Sequence, residues 1–277
     1  MAIKKENKTV LNEFNQKKIN HIFHYTDNFE VLLKILKNGF APSYCAEKIN
    51  DVEYYIPMVS FCNIPLRDVD LYMRYGKYGL GMSLEWALKN AISPVVYIHE
   101  TTPFKNFHTN LISRHYEKMI NHLFNNQTLD NLQDRIDNFD YSEYDNNLKI
   151  ISEISISAVQ FFKNWKTIYR GHEIITYQER EWRFIPKLKE EIKLITSQNS
   201  EFNLIKNKKY RSKPHLPDYS IQLSDIKDLR YILINNENQR ERVLKILNNR
   251  FQEENVLKAI LSGTLMIIKE ELIHNDF

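Results

Sequence analysis

Near the middle of the chain, Tyr177-Gln178-Glu179-Arg180-Glu181-Trp182-Arg183-Phe184-Ile185-Pro186 sets carboxylates and a guanidinium at alternate positions. Side chains of a strand alternate with period two. Read as a strand, the segment therefore puts Glu179, Glu181 and Arg183 on one face and Arg180, Trp182 and Phe184 on the other. Two carboxylates and a guanidinium in one row form the wall of a site, suited to proton transfer and to stabilising positive charge. The structural alternative is an ion-pair ladder on an edge strand.

Other side chains with chemical potential are sparser. His24-Tyr25-Thr26 sets an imidazole and a hydroxyl beside an aromatic ring at the end of an apolar stretch. His108, His115 and His122 recur every seven residues, which separates neighbours on a helix by about 10 Å, too far to share one metal. His21 and His24 fall on opposite faces of a strand, so no metal site is expected. Lys206, Lys208, Lys209, Arg211 and Lys213, with Tyr210 among them, make a basic run able to touch phosphates. The chain has no P-loop, no Gly-x-Ser-x-Gly and no His-Glu-x-x-His, and no Gly-x-Gly-x-x-Gly follows a strand.

The elements that must position these residues are legible in part. His21 to Thr26 reads as a strand. Asp27 or Asn28 caps a helix whose apolar positions are Val31, Leu32, Ile35 and Leu36, and Gly39 ends it. Pro42 to Asn50 reads as loop, and Ile56 to Pro65 as a short strand bounded by prolines. Tyr75 to Ser83 holds Gly76, Gly79 and Gly81, half of the chain's six glycines, which implies close backbone approach. Ser83 caps a helix through Lys89, and Pro94 to His99 is a further strand. Helical spacing dominates Asn110 to Phe124 and Leu148 to Ile168. The sheet resumes at 176–186 and again at Tyr219 to Leu223 and Leu229 to Ile234. Helices over Asn238 to Arg250 and Glu253 to Leu272 close the chain.

Composition bounds the class. The chain has 277 residues, with 43% hydrophobic and 12% aromatic, enough for a substantial core. Lys and Arg exceed Asp and Glu by three (38 against 35), too little to mark a nucleic-acid binder by charge. Cys45 and Cys62 fit neither a disulfide framework nor a zinc pattern. The amino terminus lacks an apolar signal core and no run approaches membrane-spanning length, so a cytoplasmic protein without membrane contact is expected.

Several blocks in order carry a family resemblance: His24-Tyr25-Thr26, the run Lys37 to Glu47, Ile56 to Pro65, Tyr75 to Ser83 with Trp86, Ser93 to Tyr97, and Glu181-Trp182-Arg183-Phe184. Together they resemble the AbiGi family of abortive phage-resistance proteins over about residues 20–240. That resemblance implies bacterial antiviral defence by abortive infection, in a toxin–antitoxin system whose antitoxin side carries the family name.

A more distant resemblance, through His24, Ser60, Tyr75, Tyr78 and Glu181, is to the ADP-ribosyltransferase superfamily. It implies an α+β fold with a split, mixed and mainly antiparallel sheet. The whole chain, 1–277, would be one domain. Its core would cover about 20–103 and 171–240, with a helical insertion at about 104–170 and carboxy-terminal helices at about 238–272. It also implies NAD as co-substrate and a transferase acting on a protein or nucleic-acid acceptor. In that reading His24, Tyr25, Thr26, Ser60, Tyr75, Tyr78 and Arg183 hold the cofactor. Glu181 is catalytic at the ribose, where cleavage of the nicotinamide bond builds positive charge, and Glu179 serves the acceptor. Tyr25 stands where such transferases carry glycine. The rival expectation is a non-catalytic antitoxin or regulator that binds a cognate toxin, and a third is a nucleic-acid-binding defence factor using 206–213.

Overall fold

A computed structural model describes residues 19–49, 52–66, 68, 75–102, 110, 114, 117, 141–169, 171–187, 195–196, 201–206 and 215–276. The architecture is α+β around a mixed sheet. Strand β1 (His21–Thr26) leads into helix α1 (Phe29–Asn38), then β2 (Ser43–Ile49) and the long β3 (Val52–Cys62). Strand β4 (Tyr78–Ser83), helix α2 (Leu84–Lys89) and the short strands β5 (Ser93–Pro94) and β6 (Val96–Ile98) follow. Helix α3 (Tyr141–Val159) precedes β7 (Phe162–Asn164), β8 (Lys166–Tyr169) and β9 (His172–Ile175). Beyond a 3-10 turn at Thr176–Glu179 come β10 (Glu181–Phe184), β11 (Ile195–Thr196) and helix α4 (Glu201–Lys206). The chain closes with β12 (Leu229–Ile234), α5 (Asn238–Phe251), α6 (Glu253–Leu261), β13 (Met266–Lys269) and α7 (Glu270–Asp276).

The main sheet runs in the order β13-β12-β4-β1-β3-β10-β5, with β2 and β11 also paired to β3. Only β12 and β13 are parallel within it; the other pairings are antiparallel. One half of β3 bonds β2 and β11, and its last residues bond β1 and β10. This long strand is therefore the spine of the sheet.

The register sorts side chains between two faces. Phe23 stands opposite Cys62, and Cys62 opposite Glu181, so the three share a face. Ile22, Phe61, Leu80, Met82, Ile232 and Ile234 point the other way, into a core completed by α1, α2, α5 and α6. The first face carries two smaller clusters: Phe23 with Ile64, Leu233 and Ile273, and Met58 with Ile98, Val159 and Phe162. The second of these is where α3, β6 and β7 cover the sheet.

Helix α1 forms for the reasons legible in its sequence. Asn28 accepts the Glu30 N–H at 2.8 Å, and Phe29, Leu32, Leu33 and Leu36 are buried on one side. Gly39 ends it with φ of 81°, and a Cβ there would lie 2.2 Å from the Ile221 carbonyl oxygen. That contact carries the antiparallel bridge between Phe40 and Ile221.

Five expectations change. Residues 43–49 are a strand and not a loop, since Tyr44 and Ile49 find burial against β3. Strand β3 begins at Val52 and runs through Pro57, which the sequence suggested as a boundary. The helix expected to reach Ile168 stops at Val159, and Phe162–Asn164 instead pairs in parallel with β6. Likewise α6 stops at Leu261; Gly263 takes φ of 70°, and Met266–Lys269 becomes an edge strand. The stretch Tyr219–Leu223 contributes the single bridge at Ile221. The expected helix over 110–124 lies almost wholly outside the described residues.

Gly39→Ala is expected to lower unfolding stability by more than about 1 kcal/mol, because the left-handed torsion and the backbone clash act together. Urea denaturation with an unchanged slope checks this.

Candidate functional site

The segment at 176–184 is not one continuous strand. Thr176–Glu179 forms a 3-10 turn, Arg180 takes the left-handed conformation (φ 44°, ψ 51°), and β10 starts at Glu181. The turn is fixed by the Thr176 hydroxyl and N–H, which both donate to the Trp165 carbonyl at 2.8 and 3.0 Å. Strict alternation is thus broken between Glu179 and Glu181. Both carboxylates nevertheless reach the same place. The left-handed residue between them turns the chain so that Glu179, Glu181 and Arg183 are all buried, at 4%, 3% and 0% exposure.

These side chains meet in a network of fixed charges. Arg183 donates through Nε to Glu181 Oε1 at 2.7 Å and through Nη2 to Glu47 Oε1 at 2.8 Å. Its Nη1 donates to the carbonyls of Gln160 and Phe162 at 2.8 and 3.3 Å. Lys163 Nζ lies 2.5 Å from Glu181 Oε2, 3.3 Å from Glu179 Oε2 and 4.0 Å from Glu47 Oε1. The Tyr75 hydroxyl donates to Glu179. The Tyr97 hydroxyl accepts the Glu181 N–H at 2.7 Å.

Electrostatics follow from this geometry. Burial by itself would raise the Glu181 carboxyl, but the adjacent Arg183 and Lys163 charges outweigh it and hold the group well below the usual carboxylate range. Burial opposes the charge of Lys163 and Arg183 too, yet Glu181 and Glu47 pull both upward, so they stay protonated. Burial pushes the Tyr97 phenol up. Glu181, Lys163 and Arg183 are thus each held in the charged form, and Tyr97 in the neutral one.

The expected cofactor residues divide between the two faces. Tyr75, Glu179, Glu181 and Arg183 converge, and Ser60, paired opposite Arg183, lies beside them with its hydroxyl 3.7 Å from Met58 Sδ. Tyr25 is on the same face but stacks on Phe23 at 5.7 Å, within the neighbouring apolar cluster. His24, Thr26 and Tyr78 are on the opposite face. His24 packs edge-on against Phe40 at 5.4 Å, and its Nδ1–H donates to the Ser60 carbonyl at 2.9 Å. Burial lowers its pKa, an effect that the Ser60 bond partly offsets. Thr26 accepts the Asn28 N–H at 3.3 Å. Tyr78 packs on Phe29 and accepts from Gln239 Nε2 at 3.0 Å. His24 and Glu181 therefore do not line one cleft: adjacent strand positions point apart, and Glu181 is in register with Phe23.

Glu47, Lys163 and Tyr97 were missed. Their segments read as loop, helix and plain strand, and only the fold brings them to Arg183. Among the described residues, no group of three or more His, Cys, Asp or Glu is placed to hold a metal, and no helix is long and apolar enough to cross a membrane. Of the basic run, Lys206 pairs with Glu53 at 2.6 Å and lies over the Phe202 ring. Lys208, Lys209, Arg211 and Lys213 lie outside the described residues, as do His108, His115 and His122.

Arg183→Met is expected to cost about 3–5 kcal/mol of stability, because it strands buried carboxylates. Arg180→Gly is expected to add about 1 kcal/mol by relieving the left-handed torsion. Both are read from urea midpoints. Stability is also expected to fall on acidification. Glu181 is lower in the folded state than its ordinary 4.5, so its contribution is complete above that value and is lost as pH drops through the folded value. His24, lowered from 6.5, acts in the same sense below 6.5. Glu181→Gln should remove the first component and His24→Gln the second.

The sequence relationships agree with the blocks that first suggested a family. A family model described as "Putative abortive phage resistance protein AbiGi, antitoxin" matches residues 38–235. Over 261 residues the chain is 21% identical to the abortive phage resistance protein AbiGi of Lactococcus lactis subsp. cremoris, covering 84% of this chain and 98% of that protein. No solved structure matches the chain. The matched span holds β2 through β12, and with them Glu47, Lys163, Glu181 and Arg183. The chain belongs to the AbiGi family of abortive phage-resistance proteins.

Proposed function

We propose that this chain acts in abortive phage resistance as a non-catalytic antitoxin, which restrains a partner toxin by binding it. The observation that carries this reading is the placement of His24 and Glu181 on opposite faces of the sheet. A transferase cleft needs a group that orients NAD and a carboxylate at the ribose along one wall. Here the carboxylate is sealed under Lys163 and β7 and neutralised by two cations, so it offers little field to a developing positive charge. The imidazole is packed among Phe40 and Phe61. The antitoxin description of the family supports the same reading.

Expression of the chain alone should leave bacterial growth unchanged, and co-expression with the product of the adjacent gene should relieve that product's toxicity. The two proteins should co-purify at a fixed ratio. Growth arrest by the chain alone, with NAD consumed by the purified protein and both lost in Glu181→Gln, would overturn the proposal. A melting curve of that variant separates lost chemistry from lost fold.

A further inference from the structure

Away from the ion network, helices α5 and α6 meet at Gln252, whose φ of 70° swings α6 back toward the turn before β12. The bend leaves a pocket of about 560 Å³ between α5, α6 and residues 224–227. That volume falls within the range of about 300–1,000 Å³ usual for small-molecule sites. Its charged lining is lopsided. Lys227, Arg250 and Lys258 face one carboxylate, Asp225, which already accepts the Lys227 N–H at 3.1 Å and pairs with its Nζ at 3.3 Å.

Arg250 is the fixed point of the wall. Its Nη1 donates to the Leu36 carbonyl at 2.6 Å, and its Nη2 to the Leu223 carbonyl at 2.8 Å and to Gln222 Oε1 at 3.2 Å. All three acceptors are neutral. They orient the guanidinium, which also stands 5.4 Å from the Phe251 ring, without balancing its charge. Lys258, one helical turn beyond Asn255 on the same side of α6, has no carboxylate partner among the described residues. Asn255, Ser262 and Thr264 add neutral polar groups along the lining: Asn255 Nδ2 donates to the Phe251 carbonyl at 2.9 Å and keeps a second N–H, and the Ser262 hydroxyl donates to the Ala259 carbonyl at 3.2 Å and lies 2.9 Å from that of Thr264. A pocket with several cations, an amide N–H and one occupied carboxylate suits a ligand with many anionic oxygens. It does not suit a cation or an apolar molecule.

We propose that this pocket binds a phosphate-bearing small molecule of mononucleotide size, with its phosphates toward Arg250 and Lys258 and the rest of the ligand near Phe251. This inference is independent of the antitoxin reading, because it uses neither Glu181 nor any partner protein. The test is calorimetric titration of the full chain with ADP at constant ionic strength, for wild type and for Lys258→Glu, Lys227→Glu and an exposed control, Lys89→Glu.

ADP should bind with a submillimolar Kd that weakens at least tenfold in Lys258→Glu and Lys227→Glu and stays unchanged in the control. All three lysines are exposed, so melting temperatures should match wild type; Lys258→Gln replaces any variant that fails to fold. No heat of binding by wild type, or equal weakening in all three variants, overturns the site.

Discussion

The Arg183 guanidinium, buried without exposure, is the tie on which the arrangement of the described elements depends. It joins β10 to the hairpin strand β2 through Glu47, and to the end of α3 and the start of β7 through two backbone carbonyls. A guanidinium removed from water must have its donors satisfied, and every acceptor it uses comes from a different part of the chain or from its own strand. The consequence is geometric. The layer formed by β6, β7 and α3 has one position relative to the sheet in which these bonds close.

Lys163 extends the same logic. It reaches Glu181 and Glu179 from the covering layer, so the carboxylates that drew attention first are held by cations above as well as beside them. The row of acidic groups is therefore a covered surface and not an open wall. Its charges serve cohesion between layers, and the left-handed turn at Arg180 lets Glu179 join the network from outside the strand.

The contrast between His24 and Glu181 rests on one register. Phe23 opposite Cys62, and Cys62 opposite Glu181, decide that the imidazole points into the aromatic core while the carboxylate points to the covered side. A shift of one residue in either pairing would have put them on the same face. The separation of His24 from Glu181 thus hangs on this one detail of the sheet.

Much of the scaffold could be read from residues alone. The Asn28 cap, the apolar spacing of α1 and the stop at Gly39 are local, and so is the apolar run of β12; such elements carry their reasons within a few residues. The importance of Glu179, Glu181 and Arg183 as a group was equally legible, because ionisable residues alternating with Trp and Phe do not suit open solvent. Their partners were not. Glu47, Lys163 and Tyr97 sit far away in segments with weak or ambiguous periodicity, and β7 and β13 are strands only because β6 and β12 offer edges to pair with. Sequence alone determined that Glu179, Glu181 and Arg183 would act as one charged group at 179–183. Only the tertiary structure decided which cations neutralise it, and on which side of the sheet His24 would fall, because register and layer packing are set by contacts between distant residues.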